Sequence, residues 1–136
     1  MSTRAIIGIK NPDGSILGAW QWNDGDCIIN DLNRNFNTAE KARLLISQGM
    51  WSTMFTKTEM ECYEKWLVKD LYKGNEAKIP QHSYTEVCGV YLLKYPHHDG
   101  KGPETYSDFE EASGQDINHI FLFNPETSKW TKDKDL

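Results

Sequence analysis

Two tryptophans, Trp20 and Trp22, stand two residues apart in the stretch "NPDGSILGAWQWNDGD", which is bracketed by Asp-Gly turns. On an extended chain successive side chains alternate faces, so both indoles project from one side of the same strand. Flat π surfaces hold a nucleobase with little demand on its identity, at about 1–3 kcal/mol per base. Gly18 shares that face and would leave room beside the rings. An indole can equally bury its area in a core or a subunit contact, and at least one of the pair is expected to do so. Trp22, next to the polar turn with Asp24, is the one expected at the surface. A nucleotide also carries phosphate, and arginine is scarce: Arg4, Arg34 and Arg43 are the whole supply. Arg34 leaves the apolar stripe of its segment, and Arg43 lies beside the buried stripe of the next. A guanidinium fork grips two phosphate oxygens at once. A lone arginine is more often a solvated charge paired with a carboxylate, so the phosphate role requires two of them to converge near an aromatic. Trp20, Trp22, Asp24, Arg34 and Arg43 are thus the candidate ligand contacts.

Other residue types invite other chemistry. His97, His98 and Asp99 are the kinds used for metal binding or proton transfer. Adjacent histidines on an extended chain point to opposite sides, and flanking Pro96 and Gly100 mark a turn rather than a rigid shell. They read as turn and surface residues, or as an occasional ligand contact. His82 and His119 are isolated. The sequence holds no nucleophile elbow, phosphate-cradling glycine loop, HExxH or paired-carboxylate pattern, so neither catalysis, a metal nor a cofactor is expected. The segment "ETYSDFEEASGQD" concentrates Glu104, Asp108, Glu110 and Glu111 around Tyr106 and Phe109. It reads either as a solvated face or as a negative patch, with inserted aromatics, that could cover a basic surface on an immune protein.

Composition limits the partners. With 136 residues, a net charge of −5, 38% hydrophobic and 26% charged residues, the chain fits a single globular domain over 1–136. An acidic chain without a concentrated basic face is a poor binder of duplex nucleic acid. Cys27, Cys62 and Cys88 are too widely spaced for a zinc site or a disulfide framework. No run reaches the roughly 20 apolar residues of a membrane helix, and "MSTRAIIGIK" lacks the features of a signal peptide. A reducing host cytoplasm is the expected location.

The elements that would position these residues follow from periodicity. Residues 3–9 alternate as a strand that is apolar on both sides, "NPDG" turns the chain, and "SILGAWQW" returns it as a hairpin. Asp24 or Asp26 can cap a helix carrying Ile28, Leu32 and Phe36. A second helix is bounded by Thr38 and Gly49, with Ala42, Leu45 and Ile46 buried. In a third, Thr58 and Glu61 form a capping box before the stripe Met60, Tyr63, Leu67 and Leu71, and Gly74 ends it. "MWSTMFT" is a short strand or a loop, and "NEAKIPQHSYTE" is a connection. "VCGVYLLKY" and "INHIFLFN" are strands separated by a long polar loop with room for one helical turn. A last strand surrounds Trp130. The expected class is α+β: an antiparallel sheet, built from the N-terminal hairpin and the C-terminal strands, packed against about three helices.

The order of motifs in the first 55 residues carries a resemblance. Ile7, Gly8, Ile9, Asn11, Asp13, Gly14 and Ser15 match an "IGI-x-N-x-DGS" hairpin; Trp22, Asp24 and Gly25 follow; then Phe36, Thr38, Glu40, Lys41, Leu45, Ile46, Gly49 and Ser52 match "T-x-E-K-x-x-x-L-I-x-x-G" and its flanks. This pattern resembles a family of small phage and prophage proteins. One branch that it resembles, the Thoeris anti-defence sponges, comprises oligomeric phage proteins that sequester cyclic ADP-ribose signals, and in some members cyclic oligonucleotides. The resemblance implies a homo-oligomeric, non-enzymatic phage counter-defence protein that captures a small cyclic or ADP-ribose-type nucleotide. The chain departs from the pattern where "WNDGD" replaces the usual "HWDGY" and "CIIND" replaces a helix-opening glycine. The alternative is an inhibitor that acts directly on a host immune complex, of the anti-CRISPR or anti-restriction kind, through the acidic segment.

Overall fold

The computed structural model describes residues 3–135. The protein is α+β, with two sheets and helices packed against each of them. The N-terminal hairpin forms as its turn chemistry dictates: β1 (Ala5–Lys10) and β2 (Ile16–Gln21) pair antiparallel, with Gly14 at φ 91° in the connection. Because β1 is apolar on both sides, it becomes the central strand of a five-stranded sheet in the order β6 (Glu104–Tyr106), β2, β1, β7 (His119–Asn124), β8 (Lys129–Asp135). Ala5, Ile7 and Ile9 face the main core, while Ile6 faces a second, smaller cluster on the opposite side. β7 runs parallel to β1, so the sheet is not a pure antiparallel meander. β8 closes one edge and β6 the other.

Helices α1 (Ile29–Asn35) and α2 (Ala39–Ile46) bury the predicted stripes, with Leu32, Phe36, Ala42, Leu45 and Ile46 at 0% exposure. Thr38 caps α2 by accepting from the Lys41 N–H at 3.2 Å. α1 has no such cap: its N-terminal flank is Ile28, and neither Asp24 nor Asp26 reaches it. Here the chain makes a turn in which Cys27 N–H meets Asp24 O, so the aspartates precede the helix by too many residues.

The second sheet, in the order β3-β5-β4, joins β3 (Thr53–Phe55), β4 (Ser83–Val87) and β5 (Val90–Lys94). The sequence reading put residues 75–86 in a connection and 87–95 in one strand. Instead Cys88 at φ 50° and Gly89 at φ 85° form a tight two-residue turn between β4 and β5. Two left-handed residues in succession are what a hairpin of this length requires. Helix α3 (Lys57–Trp66) begins at a capping box made by Thr56 and Glu59, two residues before the predicted Thr58–Glu61 pair. At Leu67–Leu71 it loosens into a π-helical turn, which sends Leu67 inward and leaves Leu71 51% exposed rather than in the stripe. The long polar loop holds a 3-10 turn at Pro96–His98, strand β6 and the short helix α4 (Phe109–Ser113). Among the described residues no helix is long and apolar enough to cross a membrane.

Candidate ligand-binding cleft

The two sheets are stitched together at one seam. Trp51 N–H donates to Trp20 O at 3.1 Å, Trp22 N–H to Trp51 O at 3.1 Å, Asn23 N–H to Ser52 O at 2.8 Å, and Ser52 N–H to Leu93 O at 2.7 Å. Below it lies a buried polar chain. The Trp51 indole N–H, at 0% exposure, donates to Gln21 Oε1 at 2.8 Å, and Gln21 Nε2 donates to Asn23 O at 2.7 Å. Asn23 Nδ2 then donates to Ser52 Oγ at 2.7 Å. The seam fixes Asn23 and Asp24, the latter at φ 59°, at the lip of an open cleft.

Two adjoining depressions make up this cleft. The inner one, about 400 Å³, has Asn23, Asp24 and Ser52 on one side and Phe55, Tyr63 and Trp66 on the other. The three rings form a run, with centroids 5.2 Å apart for Phe55–Tyr63 and 5.9 Å for Tyr63–Trp66. Trp66 is 45% exposed. The Tyr63 and Tyr95 hydroxyls lie 3.4 Å apart, and burial together with this bond pushes the Tyr63 phenol far above its ordinary range, so it remains protonated. The outer depression, about 260 Å³, shares Asn23, Ser52 and Tyr95 and adds Trp22, His97 and His98. Tyr95 and His97 stack with 5° between their planes.

The histidines differ sharply. His98 is 3% exposed, and its Nδ1 accepts the Tyr95 N–H at 3.2 Å. Burial, helped by the neighbouring His97 and Lys94 charges, pushes its pKa down to about 4, so the ring is neutral near pH 7. It belongs to the interior and not to the surface, because the chain coils into a 3-10 turn here instead of running extended; the two rings stand 4.1 Å apart. His82 is the opposite case. Nδ1 lies 2.7 Å from Pro80 O and Nε2 lies 2.7 Å from Glu64 Oε1. A carbonyl and a carboxylate both accept, so the two bonds form together only when both nitrogens carry protons, which favours the imidazolium. Burial alone would lower its pKa, but the bonds to Pro80 and Glu64 outweigh it and raise it. This pair ties α3 to the strand segment entering β4.

The sequence-derived contacts scatter across the fold. Trp22 and Asp24 line the cleft. Trp20, although 5.3 Å from Trp22, is half-buried in the second cluster, and its indole N–H donates to the Tyr106 hydroxyl at 2.8 Å. No space opens at Gly18 either, since a Cβ there would stand 2.7 Å from Ile6 Cγ2. Arg34 points outward and pairs with Asp31 at 3.5 Å, one turn back on its own helix. Arg43, in the last turn of α2, lines a different groove, with Lys10 and Phe123. Neither meets Trp22. The arginine beside that ring is Arg4, its guanidinium carbon 6.0 Å from the centroid, and it also pairs with Asp116 at 3.0 Å.

In the acidic segment the aromatics are not inserted in the surface. Tyr106 is 3% exposed, and Phe109 packs half-buried against the same cluster. Several carboxylates serve local structure: Asp108 caps α4 by accepting Glu111 N–H at 2.8 Å, Glu111 accepts the Ser107 N–H and hydroxyl, and Glu104 accepts the Tyr106 hydroxyl at 3.2 Å. Glu110 is exposed. Among the described residues no group of three or more His, Cys, Asp or Glu could hold a metal ion.

Sequence reasoning missed Phe55, Tyr63, Trp66 and Tyr95. Tyr63 was visible only as part of an apolar helical stripe, and the other three carried no signal of their own, because the turn at Cys88–Gly89 and the start of α3 were misplaced. Comparison with family models, curated proteins and solved structures finds no match.

Proposed function

We propose that the protein captures a small nucleotide-type ligand by stacking its flat ring in the aromatic cleft, and that it holds the ligand without turning it over. The run Phe55–Tyr63–Trp66, open to solvent and facing a polar lip, carries this reading. An inner depression of about 400 Å³ matches the size range of small-molecule sites. Ring stacking supplies about 1–3 kcal/mol per base, and Asn23 and Ser52 supply hydrogen bonds from a lip the seam holds still. The one buried histidine at the cleft has its Nδ1 committed to the Tyr95 N–H, which favours binding over proton transfer. Phosphate on the ligand would extend through the outer depression past Trp22. In that role Arg4 beside Trp22 and Lys94 and Lys101, which line a further polar depression touching His98, take the place first given to Arg34 and Arg43. The broader role, sequestration of a cyclic or ADP-ribose-type signal by a phage counter-defence protein in the host cytoplasm, extends the sequence resemblance and accords with a stoichiometric binder.

Tryptophan fluorescence titrated with ADP-ribose, cyclic mononucleotides and cyclic dinucleotides tests the proposal. At least one ligand should change the Trp22 and Trp66 signal, and Tyr63→Leu should weaken its binding tenfold or more. Flat titrations across the panel would overturn it. Native mass spectrometry of the same mixtures reads the subunit count and the bound mass together.

A further inference from the structure

The charges around the inner depression say more about its ligand than its shape does. Its walls hold four aromatic rings, Phe55, Tyr63, Trp66 and Tyr95, and one carboxylate, that of Asp24. No lysine, arginine or histidine lines it. Tyr63 stays a neutral phenol, since burial and the Tyr95 hydroxyl hold its proton on. Asp24 forms no ion pair among the described residues, and the cations of the neighbourhood lie elsewhere: Arg4 against Trp22 and Asp116, Lys94 on the Gln48 carbonyl at 2.7 Å, and His82 on Glu64. The faces of aromatic rings carry negative potential, and a cation within about 6 Å of such a face is attracted to it. Rings on several sides with a carboxylate at the lip therefore make a field that selects positive charge. A neutral ring stacks here equally well but gains nothing from Asp24.

We infer that the inner depression prefers a planar organic cation, a heteroaromatic ring carrying positive charge through N-alkylation, over the uncharged ring of the same shape. This deepens the proposed stacking role and rests on it. The two charges of such a ligand would then be separated, a cationic ring inside and phosphate toward the outer depression. Asp24 is the residue that discriminates, and it adopts a left-handed backbone at φ 59°. Asparagine tolerates that conformation as well as aspartate does, so Asp24→Asn removes the charge without straining the turn.

The test compares 1-methylnicotinamide with nicotinamide, which share a ring and differ in charge, by calorimetry and tryptophan fluorescence on the intact chain in low salt. The cation is expected to bind at least tenfold tighter. Asp24→Asn should reduce that ratio severalfold, by weakening the cation more than nicotinamide, and raising ionic strength should reduce it as well, because Asp24 is exposed. Equal binding of the two probes, or tighter binding of nicotinamide, overturns the charge preference and leaves the stacking cleft in place. A ratio that survives Asp24→Asn overturns the role of that residue. Silence to both probes while an ADP-ribose or cyclic nucleotide binds also overturns the preference, and silence to every compound overturns the cleft reading with it.

Discussion

Interior burial of His98 should make this protein acid-labile through one residue. The ring is 3% exposed, and its Nδ1 is occupied as an acceptor for the Tyr95 N–H, so the native state holds it neutral. Its pKa falls from the ordinary 6.5 to about 4 through burial first and then through the His97 and Lys94 charges. The sign follows from linkage. Between those two values the unfolded chain binds a proton that the native protein does not, so the stabilising contribution is complete above about pH 6.5 and is lost as pH falls toward 4. At about 1.4 kcal/mol per pH unit, the contribution lost is roughly 3 kcal/mol, a large part of an ordinary domain's stability. Urea unfolding at pH 7 and pH 4.5 measures it. His98→Asn keeps an acceptor for the Tyr95 N–H and cannot take up a proton, so its stability should fall by roughly 2 kcal/mol less than the parent's between the two pH values. Comparing the slopes removes the carboxylates, which titrate in both proteins, and the variant's packing cost, which is the same at both pH values. Parallel loss in parent and variant would refute the argument.

Two further predictions concern the floor and wall of the cleft. Gln21→Leu leaves the buried Trp51 indole N–H and the Asn23 carbonyl without their partners at 2.8 and 2.7 Å, so it should destabilise by about 2–4 kcal/mol in urea; adding Trp51→Phe should recover part of that, and strict additivity would show that the pair does not couple. His82 has a raised pKa, so its stabilising contribution is complete below its ordinary value of 6.5 and is lost as pH rises through the raised one. Amide exchange of α3, corrected for its intrinsic dependence on pH, should accelerate over that interval in the parent and stay level in His82→Gln.

Periodicity exposed the parts of the fold where one face is buried and the other wet. Leu32, Phe36, Ala42, Leu45 and Ile46 repeat at helical spacing, and all five end at 0% exposure. The doubly apolar β1 likewise announced a strand covered on both faces. What stayed hidden were choices made by pairs distant in sequence. The parallel register of Ala5 against His119 leaves no local trace. A cysteine in the left-handed region before Gly89 is rare enough that "VCGV" read as continuous strand, and the loss of that hairpin concealed the second sheet. The site suffered in the same way. An arginine's neighbours are decided by tertiary packing, so Arg34 and Arg43, plausible by residue type, lie apart, while Arg4 reaches Trp22 from the start of the chain.

The cleft joins a rigid floor to a loosely held wall, and that asymmetry bears on how it would bind. Its floor is the Gln21–Trp51 seam, buried and bonded on both sides. Its wall is α3 with the π-helical turn, which contributes no fully buried residue from Lys57 to Trp66 and leaves Trp66, Val68 and Leu71 between 43% and 51% exposed. Few buried apolar contacts mean a low free energy of local opening, so the Thr56–Glu59 cap and the His82–Glu64 bond carry an unusual share of the wall's positioning. A π-helical turn is a poorer hydrogen-bonded arrangement than the α-helix it interrupts and often marks a functional site. Here it keeps Trp66 and Leu71 together at the cleft while Leu67 turns inward. A ring entering between Tyr63 and Asn23 would bury part of the exposed Trp66 and Leu71 surface and give α3 the apolar contacts it lacks. Binding should therefore slow α3 amide exchange far more than exchange at the seam, because only the wall has stability to gain.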